Sequence, residues 1–330
     1  MTLIGDSPSL AEYREYFTTL RGQESAVDLL VRAVAWDRLA PAYLFYGVAG
    51  IGKRLAAESF AMAICCSRIA ISERPPIRQK IFNGNHPDIL TIEPTYNDRG
   101  KLLSAAEAAA AGVKKKTPPQ IRIEQIRAIA EFVSRPPLLG EKSIAIIEAA
   151  HTMAESAANA LLKTLEEPGK ATIILLAENQ DSLLPTIISR CQRIPFNRLS
   201  TRLTAEILVA GDRGDIAVNE TIVALSQGSP GLAIAADERL KSISQELLEN
   251  LATGIKTNRQ ALQIAKEIDR DLDGECQLFL IDYLQQISWQ SHSNIQRIED
   301  LERARKMLLS YVQPRLVWEC TLLSQLTNDR

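Results

Sequence analysis

Gly47-Val48-Ala49-Gly50-Ile51-Gly52-Lys53-Arg54 follows an apolar run, Tyr43-Leu44-Phe45-Tyr46, and precedes a helix-favouring run from Leu55 to Ile64. Strand, glycine-rich turn and helix in that order form the context of a phosphate-binding loop. The glycines let backbone N–H groups close around phosphate oxygens, and Lys53 offers a point charge to the outer phosphates. Position 54 departs from the pattern. A Ser or Thr hydroxyl there normally holds Mg²⁺, and this chain has Arg54.

Working outward, Ile89–Ile92, Ser143–Ile147 and Thr172–Leu176 are short apolar runs of the kind that form buried strands. Helical spacing separates them. Ala26, Leu29, Leu30, Ala33 and Val34 share one face, as do Ile123, Ile126, Ile129 and Val133, and a third helix runs from Met153 to Glu166 until Pro168-Gly169 stops it. Strands alternating with helices imply a parallel sheet covered on both faces, with ligands bound at the carboxyl ends of its strands. Residues 1–20 read as a loosely docked lead-in, residues 67–85 lose periodicity, and 97–118 reads as a flexible insertion. The insertion carries an alanine-rich run around Glu107, open to a transient helix, and three lysines at 114–116, which read as a solvated loop with contact to a phosphate backbone as the alternative.

After Phe196 the strand signals stop. Leu199–Ala210, Thr221–Ser226 and Pro230–Asp237 form short helices, and from Leu240 onward the patterns Leu247–Leu251, Leu278–Ile287, Leu301–Leu308 and Val317–Leu326 are all helical. The expected architecture is an α/β P-loop core with a parallel sheet over 1–196, a small helical unit over 197–239, and an all-α bundle over 240–330.

The chain has 330 residues, ample for several cores, and a net charge of −2, which argues against a body that coats nucleic acid by bulk electrostatics. No basic face with interleaved aromatics marks a nucleic-acid-binding module. No window is long and apolar enough to span a bilayer and the N-terminus lacks a signal-peptide pattern, so no membrane association is expected. Five scattered cysteines suggest neither a disulfide framework nor a zinc pair, which favours a reducing cytoplasm.

Four segments carry a resemblance. Ala42-Tyr43-Leu44-Phe45 precedes the loop, Asn85-His86-Pro87-Asp88 follows it, then comes Glu155-Ser156-Ala157-Ala158-Asn159-Ala160-Leu161-Leu162-Lys163-Thr164-Leu165-Glu166-Glu167-Pro168, and finally Ile187-Ile188-Ser189-Arg190-Cys191. In this order they resemble bacterial DNA polymerase III clamp-loader subunits of the delta-prime type, a family of AAA+ proteins, over most of residues 22–196. The resemblance implies a helical lid at 197–239 and a collar bundle at 240–330 that joins five subunits in a ring. It implies tau/gamma-type ATPases and delta as partners, with the sliding clamp and primed DNA met through the assembled ring. It also implies membership of a DNA-directed DNA polymerase holoenzyme whose polymerase activity resides in other subunits.

Against that family, four positions needed for phosphoryl transfer are altered. Arg54 cannot ligate Mg²⁺. Glu148 keeps a carboxylate in the Walker B segment, but Ala149 stands where a glutamate positions the attacking water. Counted back from Ser189, the sensor-1 position falls on Glu178, with Asn179 adjacent. Gly231 stands where hydrolysing relatives carry the sensor-2 arginine. The chain is therefore expected to lack ATPase activity of its own. Gly47, Gly50, Gly52, Lys53, Arg54 and Glu148 form a degenerate nucleotide site, with weak ATP or ADP binding or a purely structural turn as the alternatives. An active AAA+ ATPase is the competing reading.

Arg190, flanked by Ser189 and Cys191, has the better claim to chemistry, because the family's Ser-Arg-Cys arginine reaches a neighbour's ATP in trans. The plainer reading of Arg190 is a surface ion pair. Glu166-Glu167 reads as a solvated helix end, Cys191 as a small apolar residue, and His86 as a turn or cap at the strand entry. Relatives often carry a zinc module before the His-Pro-Asp run. Only Cys65 and Cys66 occupy that interval here, so neither zinc nor any other metal is expected.

Overall fold

A computed structural model of the chain describes residues 10–98, 100–112, 118–290 and 295–328. They divide into two compact units between Arg198 and Leu199. In the first unit α1 (Leu10–Arg14), a 3₁₀ turn and α2 (Glu24–Ala35) lead to β1 (Ala42–Tyr46), α3 (Lys53–Cys66) and α4 (Arg74–Phe82). Next come β2 (Ile89–Ile92), a hairpin of β3 (Tyr96–Asp98) and β4 (Lys101–Leu103), and α5 (Ala105–Ala110). The unit continues through α6 (Ile123–Ser134), β5 (Ser143–Ile147), α7 (Glu155–Glu166), β6 (Ala171–Ala177), α8 (Pro185–Ile188) and β7 (Gln192–Pro195).

Among the described residues the main sheet has the order β2-β5-β6-β1-β7, and every neighbouring pair in it is parallel. β5 and β6 are buried along their whole lengths, as continuous apolar runs require when helices cover both faces. One face packs against α6 and α7 through Ile126, Ile129, Leu161 and Leu165. Near β1, an aromatic group forms from Tyr43, Phe45, Phe60 and Phe196, with Tyr43 and Phe60 edge to face at 4.9 Å between ring centres. β7 was not anticipated as a strand. Its run Gln192-Arg193-Ile194-Pro195 is mostly polar because it lies at the sheet edge and exposes one side.

Three expectations need correction. The lead-in is not loosely docked from residue 10, since Tyr13, Tyr16 and Phe17 are buried. The stretch 67–85 holds α4, whose first turn carries Pro75 and Pro76, where missing N–H groups cost nothing. This helix has little apolar face. It docks instead through Arg74, which bonds Glu12 at 2.6 Å and the Ile69 carbonyl at 2.9 Å, and through Arg78 lying 4.5 Å over the Tyr16 ring. The expected flexible insertion contains the β3–β4 hairpin, and the helix anticipated in its alanine run is α5, which Ser104 and Glu107 start with a reciprocal cap and which buries Ala108. The lysines at 114–116 lie outside the described residues.

The second unit consists of α9 (Thr201–Ala210), α10 (Gly214–Ala217), α11 (Glu220–Leu225), α12 (Pro230–Ser242), α13 (Gln245–Thr253), α14 (Asn258–Asp271), α15 (Gly274–Gln290), α16 (Ile295–Leu309) and α17 (Pro314–Asn328). One apolar cluster extends from Leu208 and Ile222 to Leu322 and includes the fully buried Trp318, whose Nε1 donates to Gln277 Oε1 at 2.9 Å. α12 runs through position 239, where the sequence reading placed a boundary. α14 was missed, although Ala261, Ile264, Ala265 and Ile268 are its buried face. The four recur at helical spacing, and the pattern was legible in the sequence. Among the described residues no helix is long and apolar enough to cross a membrane.

Candidate functional site

The carboxyl ends of β1, β5 and β6 lie side by side, and the loops that leave them enclose a cavity of about 360 Å³. It is lined by Gly50, Gly52, Lys53 and Arg54 from the glycine loop, Glu148, Ala149 and His151 after β5, and Glu178 after β6. The loop is held by its own packing. Gly47 N–H donates to the Ala177 carbonyl at 3.2 Å, and a Cβ on Gly47 would lie 2.4 Å from the Phe196 carbonyl oxygen, which is backbone and cannot yield. Gly47 and Gly52, at φ +152° and +103°, adopt conformations that side chains avoid.

Lys53 is buried at the start of α3 and curls back on the loop, donating from Nζ to the carbonyls of Gly47 at 2.5 Å and Val48 at 2.7 Å. Burial pushes its ammonium down to about 8, with the Glu178 carboxylate opposing that shift. Of the two neighbours, Glu178 lines the cavity. Asn179 instead caps the next 3₁₀ turn, accepting from Asp181 N–H at 3.1 Å. A carboxylate aimed into the cavity repels a terminal phosphate.

Arg54 lines the cavity on the side of Glu148. Its Nη1 lies 2.9 Å from Glu148 Oε1 and its Nε donates to Glu58 Oε1 at 2.9 Å. Burial raises the Glu148 carboxyl above its ordinary range, while Arg54 draws it back down. The Glu148 carboxylate is thus engaged electrostatically by a guanidinium that cannot ligate a metal. The Ala149 side chain carries no polar atom, and the residue sits at φ 44°, a left-handed conformation costing roughly 1–2 kcal/mol for a non-glycine residue. These residues do not fit Mg²⁺–ATP. Among the described residues, no group of His, Cys, Asp or Glu is arranged to hold a metal ion. Gly231 lies in the first turn of α12, in the second unit.

Arg190 does not line this cavity. It occupies the corner between α8 and β7, with its side chain 38% exposed. Its Nη1 donates to the Thr186 carbonyl at 3.0 Å and its Nη2 to Glu166 Oε1 at 2.7 Å. Glu166 is therefore no freely solvated helix end, and the ion pair joins the last residue of α7 to the Ser-Arg-Cys run. Ser189 Oγ also donates to the Thr186 carbonyl, at 3.1 Å. Cys191 packs on the core beneath, and burial pushes its thiol up to about 12, which keeps it protonated and unreactive.

The Asp88 carboxylate, 1% exposed, accepts N–H bonds from Leu138 at 2.5 Å, Leu139 at 2.8 Å and Gly140 at 2.7 Å. His86 beside it is also buried and accepts from the Asp88 N–H through Nδ1 at 3.2 Å, shaping the strand entry. The sequence offered Asp88 as part of a motif, with nothing in its spacing to indicate a partner fifty residues away.

The family model described as "DNA polymerase III, delta subunit" matches residues 22–200, and that described as "Cyanobacterial DNA polymerase III delta prime, C-terminal domain" matches residues 202–325. The DNA polymerase III subunit delta' of Pseudomonas aeruginosa is 36% identical over 197 residues, 58% of this chain and 54% of that protein. Its counterpart in Bacillus subtilis is 35% identical over 193 residues, covering 58% and 52%. The chain thus spans about half the length of the curated relatives it matches. In fold it is similar to a DNA polymerase III gamma subunit-related protein of Thermotoga maritima, with TM-score 0.54 and 18% identity over 92% of this chain and 99% of that one. The first family model covers more than half of the sequence and the second most of the remainder, and the chain belongs to the DNA polymerase III delta-prime family.

Proposed function

We propose that this chain is a non-hydrolysing clamp-loader subunit that completes a hetero-pentameric ring and lends Arg190 to the nucleotide of a neighbouring ATPase. One observation carries the reading. Arg190, with N–H donors to spare, stands at an exposed corner outside the chain's own cavity, while that cavity is lined by Lys53, bonded to its own loop, by Arg54, paired with Glu148, and by Glu178. An arginine supplied in trans stabilises charge developing on the transferring phosphoryl group, an effect of about 10³–10⁵ in rate in GTPase systems.

In this reading the helices at 197–239 serve as lid and those at 240–330 as collar. The neighbours are tau/gamma-type ATPases and delta, and the sliding clamp and primed DNA are met through the ring, in the cytoplasm. The test is reconstitution with those subunits. Arg190→Ala should leave assembly by size exclusion intact and lower the DNA-stimulated ATPase; unchanged ATPase would remove the role. The competing reading, an active ATPase, requires hydrolysis by the isolated chain with Mg²⁺. The Arg54–Glu148 pair at the metal position weighs against it.

A further inference from the structure

We propose that Glu166 is the positioning residue for Arg190, holding the guanidinium in the orientation in which its remaining donors face outward. The inference rests on the reading of Arg190 as a finger given in trans.

A carboxylate at the last residue of a helix is misplaced by itself, because the helix C-terminus carries partial negative charge. Glu166 closes α7, immediately before the Pro168-Gly169 stop. Its presence there makes physical sense with a cation beside it, and Arg190 supplies one at 2.7 Å. The pair adds little to stability. Both side chains are well exposed, 38% and 53%, and such pairs contribute between nothing and about 1 kcal/mol. What the contact does is restrict a long side chain that would otherwise sample many rotamers.

The geometry is that of a two-point mount. Thr186 takes one hydrogen of Nη1 and Glu166 one hydrogen of Nη2. A guanidinium has five N–H donors in a fixed plane. Nε and the second hydrogen of each Nη remain to meet phosphate oxygens, so a phosphoryl group can be engaged without breaking either anchor. The two mounts come from α7 and α8, whose apolar sides are packed into the core through Leu161, Leu165 and Ile187. The Glu166 run and the Ser-Arg-Cys run, separate in sequence, thereby form one device.

The experiment uses the complete chain reconstituted with tau/gamma-type and delta subunits, clamp and primed DNA. ATP turnover is measured for wild type, Arg190→Ala, Glu166→Ala, Glu166→Gln, Glu166→Asp and the double variant R190A/E166A, with assembly checked by size exclusion. The Arg190-dependent part of kcat should fall about two- to fivefold in both E166A and E166Q, in line with the modest ordering an exposed pair provides. KM for ATP should stay the same, as expected when only a transition-state contact is weakened. Glu166→Asp should recover part of the loss, and E166A should have no effect in the R190A background. If E166A assembles poorly, the isosteric E166Q decides. Unchanged or increased turnover in E166Q, with R190A still impaired, overturns the positioning role and leaves the finger reading standing. Full activity in R190A overturns the finger reading and this inference with it. A further loss from E166A on top of R190A also overturns it, since Glu166 would then act elsewhere.

Discussion

Lys53 shows how one residue type at one position can change its meaning. At the end of a glycine loop a lysine is read as a phosphate ligand, yet here its ammonium is spent on the loop's own carbonyls. Its folded value of about 8 lies below the ordinary 10.5, so between those values the unfolded chain binds more protons and stability rises with pH. Wild type should therefore gain on Lys53→Met as pH is raised from about 8 toward 10.5, by at most roughly 3 kcal/mol, with a flat difference below 8. Denaturant unfolding at stepped pH measures this, and a flat difference throughout would show that Lys53 is not held in a desolvated site. Arg54 is the complementary case. It brings a permanent charge to the cavity, and Glu148 answers it.

At the scale of elements, the parallel sheet decides where chemistry can gather. Three strand ends meet in the order β5-β6-β1, which brings residues 53, 148 and 178 into one cavity across more than a hundred residues of sequence. A second long-range tie runs through Asp88, which ends the approach to β2 and holds the loop before β5 by three N–H bonds. Asp88→Ala leaves three donors without their acceptor and should cost roughly 3 kcal/mol by urea unfolding. Asp88→Asn should cost less, because one oxygen acceptor survives. Equal stability of wild type and Asp88→Ala would mean that water replaces the carboxylate freely. The same element logic explains α4, a helix built on arginine contacts where an apolar stripe is missing.

For the whole molecule, the division between Arg198 and Leu199 coincides with the junction of the two family matches, 22–200 and 202–325. The second unit has its own apolar cluster, which contains the fully buried Trp318. Residues 199–330 expressed alone should be helical by circular dichroism and unfold cooperatively. Trp318→Ala in that fragment should cost about 3–5 kcal/mol, from the cavity and from the lost bond to Gln277. A fragment without a cooperative transition would show that the helices at 199–330 need the first unit in order to fold.

The sequence by itself determined the alternation of strand and helix over 42–177, the glycine loop, and the helical character of everything after Phe196. Those signals are local: continuous apolar runs, 3.6-residue periodicity, and Gly and Pro at turns. Through family resemblance it also singled out Arg54 in the loop and the Ser-Arg-Cys run. Only the tertiary structure decided that Lys53 bonds its own loop, that Glu178 and not Asn179 faces the cavity, that Asp88 clamps Leu138–Gly140, and that Glu166 holds Arg190. Each depends on the partner a polar group finds in space. Spacing along the chain carries no record of that choice, because hydrogen bonds and ion pairs are made between side chains that the fold, and not the local sequence, brings within 3 Å.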